Sequence, residues 1–223
     1  MTEAPARVEP FGDAAVLVTL GAGMDPLVSR RARAIAEAVT ASRERERWLG
    51  RPVPAYASVL VPFDPLAIEP TAAMAIVAEI AAEARPPEAD EGAGPVIEIR
   101  VRYGGPDGPD LDAVAELAGL RPADVVELHT GTTYEAFFVG FAPGFAYLGR
   151  VPAAIAVPRL ATPRERVPAG SVGIAGEQTG VYPFDLPGGW RIVGRTRTAM
   201  WDLDRPRPAL VGPADRVRFV PIP

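Results

Sequence analysis

From His129 to Thr196, glycine and proline recur every few residues and impose backbone shapes that few other residues tolerate. The densest runs are Gly140-Phe141-Ala142-Pro143-Gly144-Phe145-Ala146-Tyr147-Leu148-Gly149, Pro168-Ala169-Gly170-Ser171-Val172-Gly173, Gln178-Thr179-Gly180-Val181-Tyr182-Pro183 and Pro187-Gly188-Gly189-Trp190. The same stretch holds the only histidine and the only glutamine of the 223 residues. A chain with so few polar side-chain types has little choice about where its chemistry sits. Any small-molecule chemistry is therefore expected in this stretch.

What the chain lacks narrows that chemistry. There is no cysteine, which excludes thiol catalysis, zinc-thiolate sites and disulfides. There is no lysine either, so all 23 basic residues are arginine; a phosphate-loop lysine and a Schiff base are excluded. One histidine excludes a histidine-rich metal site, and no metal is expected. A net charge of -5 argues against nucleic acid or anionic lipid as partners. Met1 to Arg7 lacks the basic start and apolar core of a signal peptide, and the nearly uncharged stretch 136–149 is too short and too broken to span a membrane. A cytoplasmic protein is the expectation.

Two grammars divide the chain. Residues 1–85 alternate strands and helices. Ala14 to Leu20 and Tyr56 to Val61 read as strands. Asp25-Pro26 supplies an N-cap and a first-turn proline for a helix with Val28, Ala32, Ile35 and Val39 on one face, ended by Gly50. A second helix from Thr71 to Arg85 turns Ala73, Ile76, Val77 and Ile80 inward. The expected product is a small α/β domain with helices on one face of its sheet. Residues 86–95, rich in proline, glycine and acid, read as a linker.

In residues 96–223, Val96 to Tyr103 alternates apolar and charged residues as a half-buried strand does. Two short helices follow, one capped by Asp110, carrying Val114 and Leu117 and closed by Gly119, the other started by Pro122. Short strands with tight turns then run to the end, including Glu135 to Val139, Arg191 to Gly194 and Arg216 to Val220, which reads as a β-barrel or a sandwich. The whole is an α+β chain.

Several side chains could carry chemistry. His129 falls in the last turn of its helix, where it could cap carbonyls or serve as acid, base or hydrogen-bond donor. Tyr147 is the polar member of an aromatic loop in which Phe141 and Phe145 read as packing residues. Arg159 and Arg164 each follow a proline, which mounts a planar guanidinium on stiff backbone suited to a carboxylate or phosphate. Gln178, Thr179 and Tyr182 offer an amide and two hydroxyls suited to a cyclic amide, or to satisfying their own turn. Gly188 and Gly189 could bare their amides to an anion or simply make a turn before Trp190. Ser171 has no nucleophile elbow around it.

Taken together these segments resemble the KipI family, also described as the B subunit of 5-oxoprolinase or as allophanate hydrolase subunit 1. The resemblance rests on Tyr103-Gly104-Gly105, Gly108-Pro109-Asp110-Leu111, His129, the aromatic loop, the Pro-Arg pairs, and the runs 168–176, 178–183, 187–190 and 194–196. Tyr56 with Phe63-Asp64-Pro65 extends it to the first region. It departs from the family at Ala146, Leu186 and Arg197.

The resemblance implies an N-terminal α/β domain followed by a cyclophilin-like β-barrel. It also implies a KipA-like partner (the C subunit of 5-oxoprolinase), a third lactam-utilisation protein (the A subunit), and ATP-dependent opening of 5-oxoproline to glutamate. ATP would be handled by the complex rather than by a site wholly within this chain. On this reading His129 and Gln178 are catalytic, and Tyr147, Arg159, Arg164, Ser171, Thr179, Tyr182, Gly188 and Gly189 bind substrate. Relatives suggest two alternatives: a regulator that binds and inhibits a sensor histidine kinase, and half of a urea carboxylase or allophanate hydrolase-type amidolyase.

Overall fold

Alternating burial builds the first region. Val16 and Val18 on one strand, and Val59 and Val61 on its neighbour, are fully buried while the residues between them are not. The computed structural model describes residues 6–86 and 96–223, so the expected linker lies outside the described residues except for Pro86. The chain divides into two units, Met1–Gly92 and Ala93–Pro223.

The first unit runs β1 (Arg7–Pro10), β2 (Ala15–Thr19), α1 (Pro26–Ser42), β3 (Val53–Pro54), β4 (Ser58–Pro62) and α2 (Pro70–Glu83). Its sheet has the order β1-β2-β4-β3 and is antiparallel throughout. Both helices supply its core, through Ala32, Ile35 and Val39 from α1 and Ala73 and Val77 from α2. Truncating one of the larger of these side chains to alanine costs about 2–5 kcal/mol. Asp25 caps α1 as expected, its Oδ1 accepting from the Leu27 amide at 2.8 Å.

The end of α1 differs from expectation. The helix stops at Ser42, where the Thr40 and Ser42 hydroxyls turn back onto the Ala36 and Ala38 carbonyls at 2.7 and 2.9 Å. Gly50 instead lets the chain approach β4. Its amide donates to the Pro62 carbonyl at 2.8 Å, and a Cβ there would lie 2.8 Å from the Pro62 Cβ. Ile76 and Ile80 are only half-buried.

The second unit runs β5 (Val96–Tyr103), a 3₁₀ turn, α3 (Leu111–Ala118), α4 (Pro122–Thr130), β6 (Thr133–Val139), β7 (Ala146–Gly149), β8 (Arg164–Val167), β9 (Ser171–Ala175), β10 (Gln178–Val181), β11 (Leu186–Gly188), β12 (Arg191–Arg195) and β13 (Arg216–Pro221). Seven strands close a barrel in the order β10-β7-β6-β13-β5-β12-β9. β13 and β5 run parallel; every other neighbouring pair in the barrel is antiparallel. All seven strands feed one apolar cluster, among them Ile99, Ala136, Leu148, Val172, Ile174, Val181, Val193 and Phe219. A cluster shared by every strand of a closed barrel is its interior. Alternate residues therefore face the outer wall. β8 and β11 form a separate two-stranded sheet. Gly119 closes α3 in the left-handed region at φ 67°, whereas Leu117, expected inward, is 54% exposed.

Candidate functional site

On the outer wall, glycine makes room for an aromatic platform. Gly173 on β9 and Gly180 on β10 both point outward, and the Trp190 indole lies over them. A Cβ at Gly180 would sit 3.2 Å from Trp190 Cζ3, and one at Gly173 would sit 3.0 Å from Trp190 Cβ. Phe145, Tyr147 and Tyr182 surround the indole edge-on, with ring centroids 5.4, 5.9 and 6.5 Å away. Phe145 and Tyr182 are buried with Val167 and Ile192 in a cluster of their own. Phe141, at the tip of the loop, is 59% exposed and adopts φ 67°, a conformation that bulky residues rarely accept. Its ring meets Phe145 and Tyr182 edge-on.

Two arginines border this platform. Arg164 opens β8 opposite Gly188 of β11. Its Nη2 donates to Asp110 Oδ1 at 2.7 Å, while Asp110 Oδ2 accepts the Ile192 amide at 2.7 Å. Asp110 thus precedes α3 as expected, yet makes no side-chain cap; its carboxylate is occupied in anchoring the guanidinium. The other terminal nitrogen, Arg164 Nη1, is buried and has no hydrogen-bond partner among the described residues. Such a group is costly unless something accepts from it. The Arg164 charge reaches Tyr182, and Arg159 reaches Tyr147.

Burial raises both tyrosines above their ordinary range. The nearby cations, and the Trp190 amide at Tyr182, only partly oppose it, so both hydroxyls stay protonated at neutral pH. The loop carrying Arg159 is pinned in place: the Leu160 amide donates to the Gly189 carbonyl at 2.7 Å, and Arg191 Nε to the Pro158 carbonyl at 2.8 Å. Gly188 is obligatory, because a Cβ there would lie 2.2 Å from the Tyr182 hydroxyl oxygen.

His129 lies on the other side of the barrel wall. It is 0% exposed, stacked on Phe219 with centroids 4.6 Å apart. Its Nε2 lies 2.8 Å from Thr179 Oγ1 and its Nδ1 2.7 Å from the Tyr103 hydroxyl. Thr179 donates its own proton to the Gly173 carbonyl at 2.9 Å, so it accepts from the ring. The imidazole is therefore the Nε2–H tautomer, with Tyr103 donating to Nδ1. Burial holds the imidazole neutral down to a pKa of about 3. Tyr134 donates to the His129 carbonyl at 2.8 Å, and both Tyr103 and Tyr134 are raised by burial.

The expected residues therefore separate into groups. Tyr147, Arg159, Arg164, Tyr182, Gly188 and Gly189 come together on the outer wall. His129 and Thr179 belong to the interior and share no surface with the arginines. Gln178 faces outward at the start of β10, opposite Gly149 and Ala175 and about 13 Å along the strand from Tyr182. Ser171 is buried at the start of β9. Asp110 joins the site although the sequence marks it only as a helix cap, because its partner lies 54 positions away. Trp190 reads from the sequence as a turn-and-burial residue; the signal for its platform is the pair of outward glycines. Among the described residues, no group of histidine and acidic side chains could hold a metal, and no helix is long and apolar enough to cross a membrane.

Residues 6–211 match the carboxyltransferase domain, subdomain C and D. The chain belongs to that family. Within it, 125 residues are 54% identical to the 5-oxoprolinase B subunit of Escherichia coli O157:H7, covering 56% of this chain and 57% of that relative. The 5-oxoprolinase B subunit of Bacillus subtilis (strain 168) is 48% identical over 127 residues, covering 57% and 53%. The matched stretch thus spans a little over half the length of these curated relatives. Among solved structures, the conserved uncharacterized protein PH0987 from Pyrococcus horikoshii is 43% identical, with 97% of both chains covered and a TM-score of 0.57. TTHA0988 is 37% identical at a TM-score of 0.80, covering 94% of this chain and 40% of that one. The Kluyveromyces lactis urea carboxylase, at 19% identity and a TM-score of 0.81, shares the fold over 98% of this chain and 22% of its own.

Proposed function

We propose that this chain is the B subunit of an ATP-dependent 5-oxoprolinase, opening 5-oxoproline to glutamate together with a KipA-like protein (the C subunit) and a lactam-utilisation protein (the A subunit). Three relatives named as B subunits of 5-oxoprolinase, at 46–54% identity, support the reading. The observation that carries it at the site is the buried, unpartnered Nη1 of Arg164 beside an aromatic platform. 5-Oxoproline has a flat five-membered ring, one carboxylate and one lactam carbonyl. Arg164, oriented through Nη2 by Asp110 and one-third exposed as a side chain, offers its guanidinium to the carboxylate, and Nη1 gains its missing acceptor when binding uncovers it. Trp190, partly exposed and backed by the buried Phe145, supplies the apolar surface for the ring, and the protonated Tyr147 hydroxyl donates to the lactam oxygen.

In the net reaction two waters are consumed: one adds to the lactam carbon as the C–N bond breaks and the nitrogen takes up a proton, and the other is used as ATP becomes ADP and phosphate. The nucleotide is turned over by the assembled complex. His129 acts through Thr179 to hold β10 and touches no substrate; it is a positioning residue.

The test is co-expression with the KipA-like and lactam-utilisation partners, followed by measurement of glutamate release. Release that requires both ATP and 5-oxoproline is expected, and Arg164→Gln should lower kcat/KM about 30-fold, the ~2 kcal/mol of a charge-assisted hydrogen bond. A correctly assembled complex that releases no glutamate refutes the function; an unchanged Arg164→Gln complex refutes the site.

A further inference from the structure

A concavity of the second unit, about 830 Å³ in volume, is lined by four arginines, Arg100, Arg102, Arg195 and Arg197, against one acidic residue, Asp107. This concentration of cations stands out on a chain whose net charge is -5. The fold produces it in three steps. Ile99 and Val101 point into the barrel, so Arg100 and Arg102 of β5 face outward. On β12 the register slips at Val193, with Ile192 opposite Gly173 and Gly194 opposite Val172. This one-residue bulge returns Arg195 to the outer face, directly across from Arg102. Gly170, at φ 80°, then lets the turn before β9 close against the end of β12, where a Cβ would lie 2.1 Å from the Thr196 carbonyl oxygen.

Like charges directly opposite one another weaken a sheet, so the pairing of Arg102 with Arg195 runs against the interest of the fold alone. Two of the four are already engaged. Arg195 Nε donates to the Ala169 carbonyl at 2.9 Å, and Arg102 lies 3.5 Å from Asp107 and donates to the Pro223 carbonyl at 2.9 Å. The Arg100 and Arg197 side chains are exposed and make no hydrogen bond or ion pair among the described residues. Farther along the same outer face, Glu98 is taken by Arg218 and does not neutralise them. The volume suits a small ligand rather than a flat protein contact. No aromatic side chain lines the cleft to stack a base.

We infer that this cleft binds the polyphosphate group of a small molecule, reading phosphates through the four guanidinium groups and leaving any base and sugar unread. Such binding belongs to this chain alone and does not depend on the oxoprolinase reading.

Calorimetric titration of the full chain with sodium tripolyphosphate, ATP and AMP tests it. Tripolyphosphate and ATP should bind within about threefold of each other, AMP at least about tenfold more weakly, and added salt should weaken binding steeply. Arg100→Gln and Arg197→Gln should each weaken tripolyphosphate about fivefold or more, while Arg45→Gln, an equal charge change on an exposed arginine of the other unit, should alter it less than about twofold. No saturable binding, AMP binding as tightly as tripolyphosphate, or equal effects of all three variants would overturn it. So would loss of the KipA-like partner from the Arg100→Gln and Arg197→Gln variants with tripolyphosphate binding unchanged, which assigns the face to an acidic protein surface.

Discussion

His129 is the chain's only histidine, and that makes its burial measurable. In the unfolded chain it takes up a proton near pH 6.5, whereas burial lowers its folded pKa to about 3. Between those values the unfolded state binds more protons, so acidification favours unfolding. The stability this group protects is complete above pH 6.5 and is lost progressively as pH falls toward 3. Each pH unit inside that window is worth about 1.4 kcal/mol, so moving from pH 7.5 to 4.5 should cost the barrel about 3 kcal/mol. Asp124 and Asp185, both held below their ordinary value by arginine and backbone donors, add to the loss only at the acid end of this window, where the unfolded carboxylates begin to take up protons, and they do so equally in His129→Gln.

The assay is urea denaturation in a Trp48→Phe background, so that Trp190 and Trp201 report the second unit. The free-energy slope against pH should be near 1.4 kcal/mol per unit between pH 6 and 4.5, and close to zero in His129→Gln. Tyr103→Phe should keep the slope, because burial and not the Nδ1 bond sets the shift. A flat wild-type profile, or an equal slope in His129→Gln, would refute the enclosed neutral imidazole.

Other expectations follow from single contacts. Thr179→Val removes a hydroxyl that accepts from His129 and donates to Gly173, leaving the buried His129 Nε2–H without its acceptor; a loss of about 1–3 kcal/mol is expected in the same denaturation assay. Gly188→Ala would place a methyl 2.2 Å from the Tyr182 oxygen, so the platform must open, with a shift in Trp190 emission and about 1–3 kcal/mol of destabilisation. An unshifted spectrum at wild-type stability would mean that the Tyr182–Gly188 contact is absent.

The sequence shows local structure well and sidedness poorly. Asp25-Pro26 marks the start of α1, Gly119 the end of α3, and the alternation from Val96 to Tyr103 the strand β5, because each signal acts within a few residues. Resemblance, and not periodicity, separates barrel from sandwich. Which face of each strand looks inward is hidden, since bulges at Phe137 and Val193 reset the alternation partway along β6 and β12. The expected gathering of His129, Gln178 and the arginines fails because α4 sends the His129 ring to the interior side of β10, where it meets Thr179, while Gln178 stands on the outer side. Thr179 and Gln178 are sequence neighbours but lie on opposite sides of the wall. The Asp110–Arg164 anchor needs the closed barrel to bring its halves together, and no local signal announces it. Glu98, Arg100 and Arg102 read as an ordinary solvated face until Arg195 is placed opposite Arg102.

On the proposed reading, substrate is met on the outer wall and not in the barrel interior. Turnover of 5-oxoproline by the assembled complex at neutral pH, compared between Arg164→Gln and His129→Gln, tests this most directly. A loss of about 30-fold or more in kcat/KM is expected for the first, and less than about threefold for the second in a folded complex. Collapse of turnover in His129→Gln with Arg164→Gln unimpaired would contradict it.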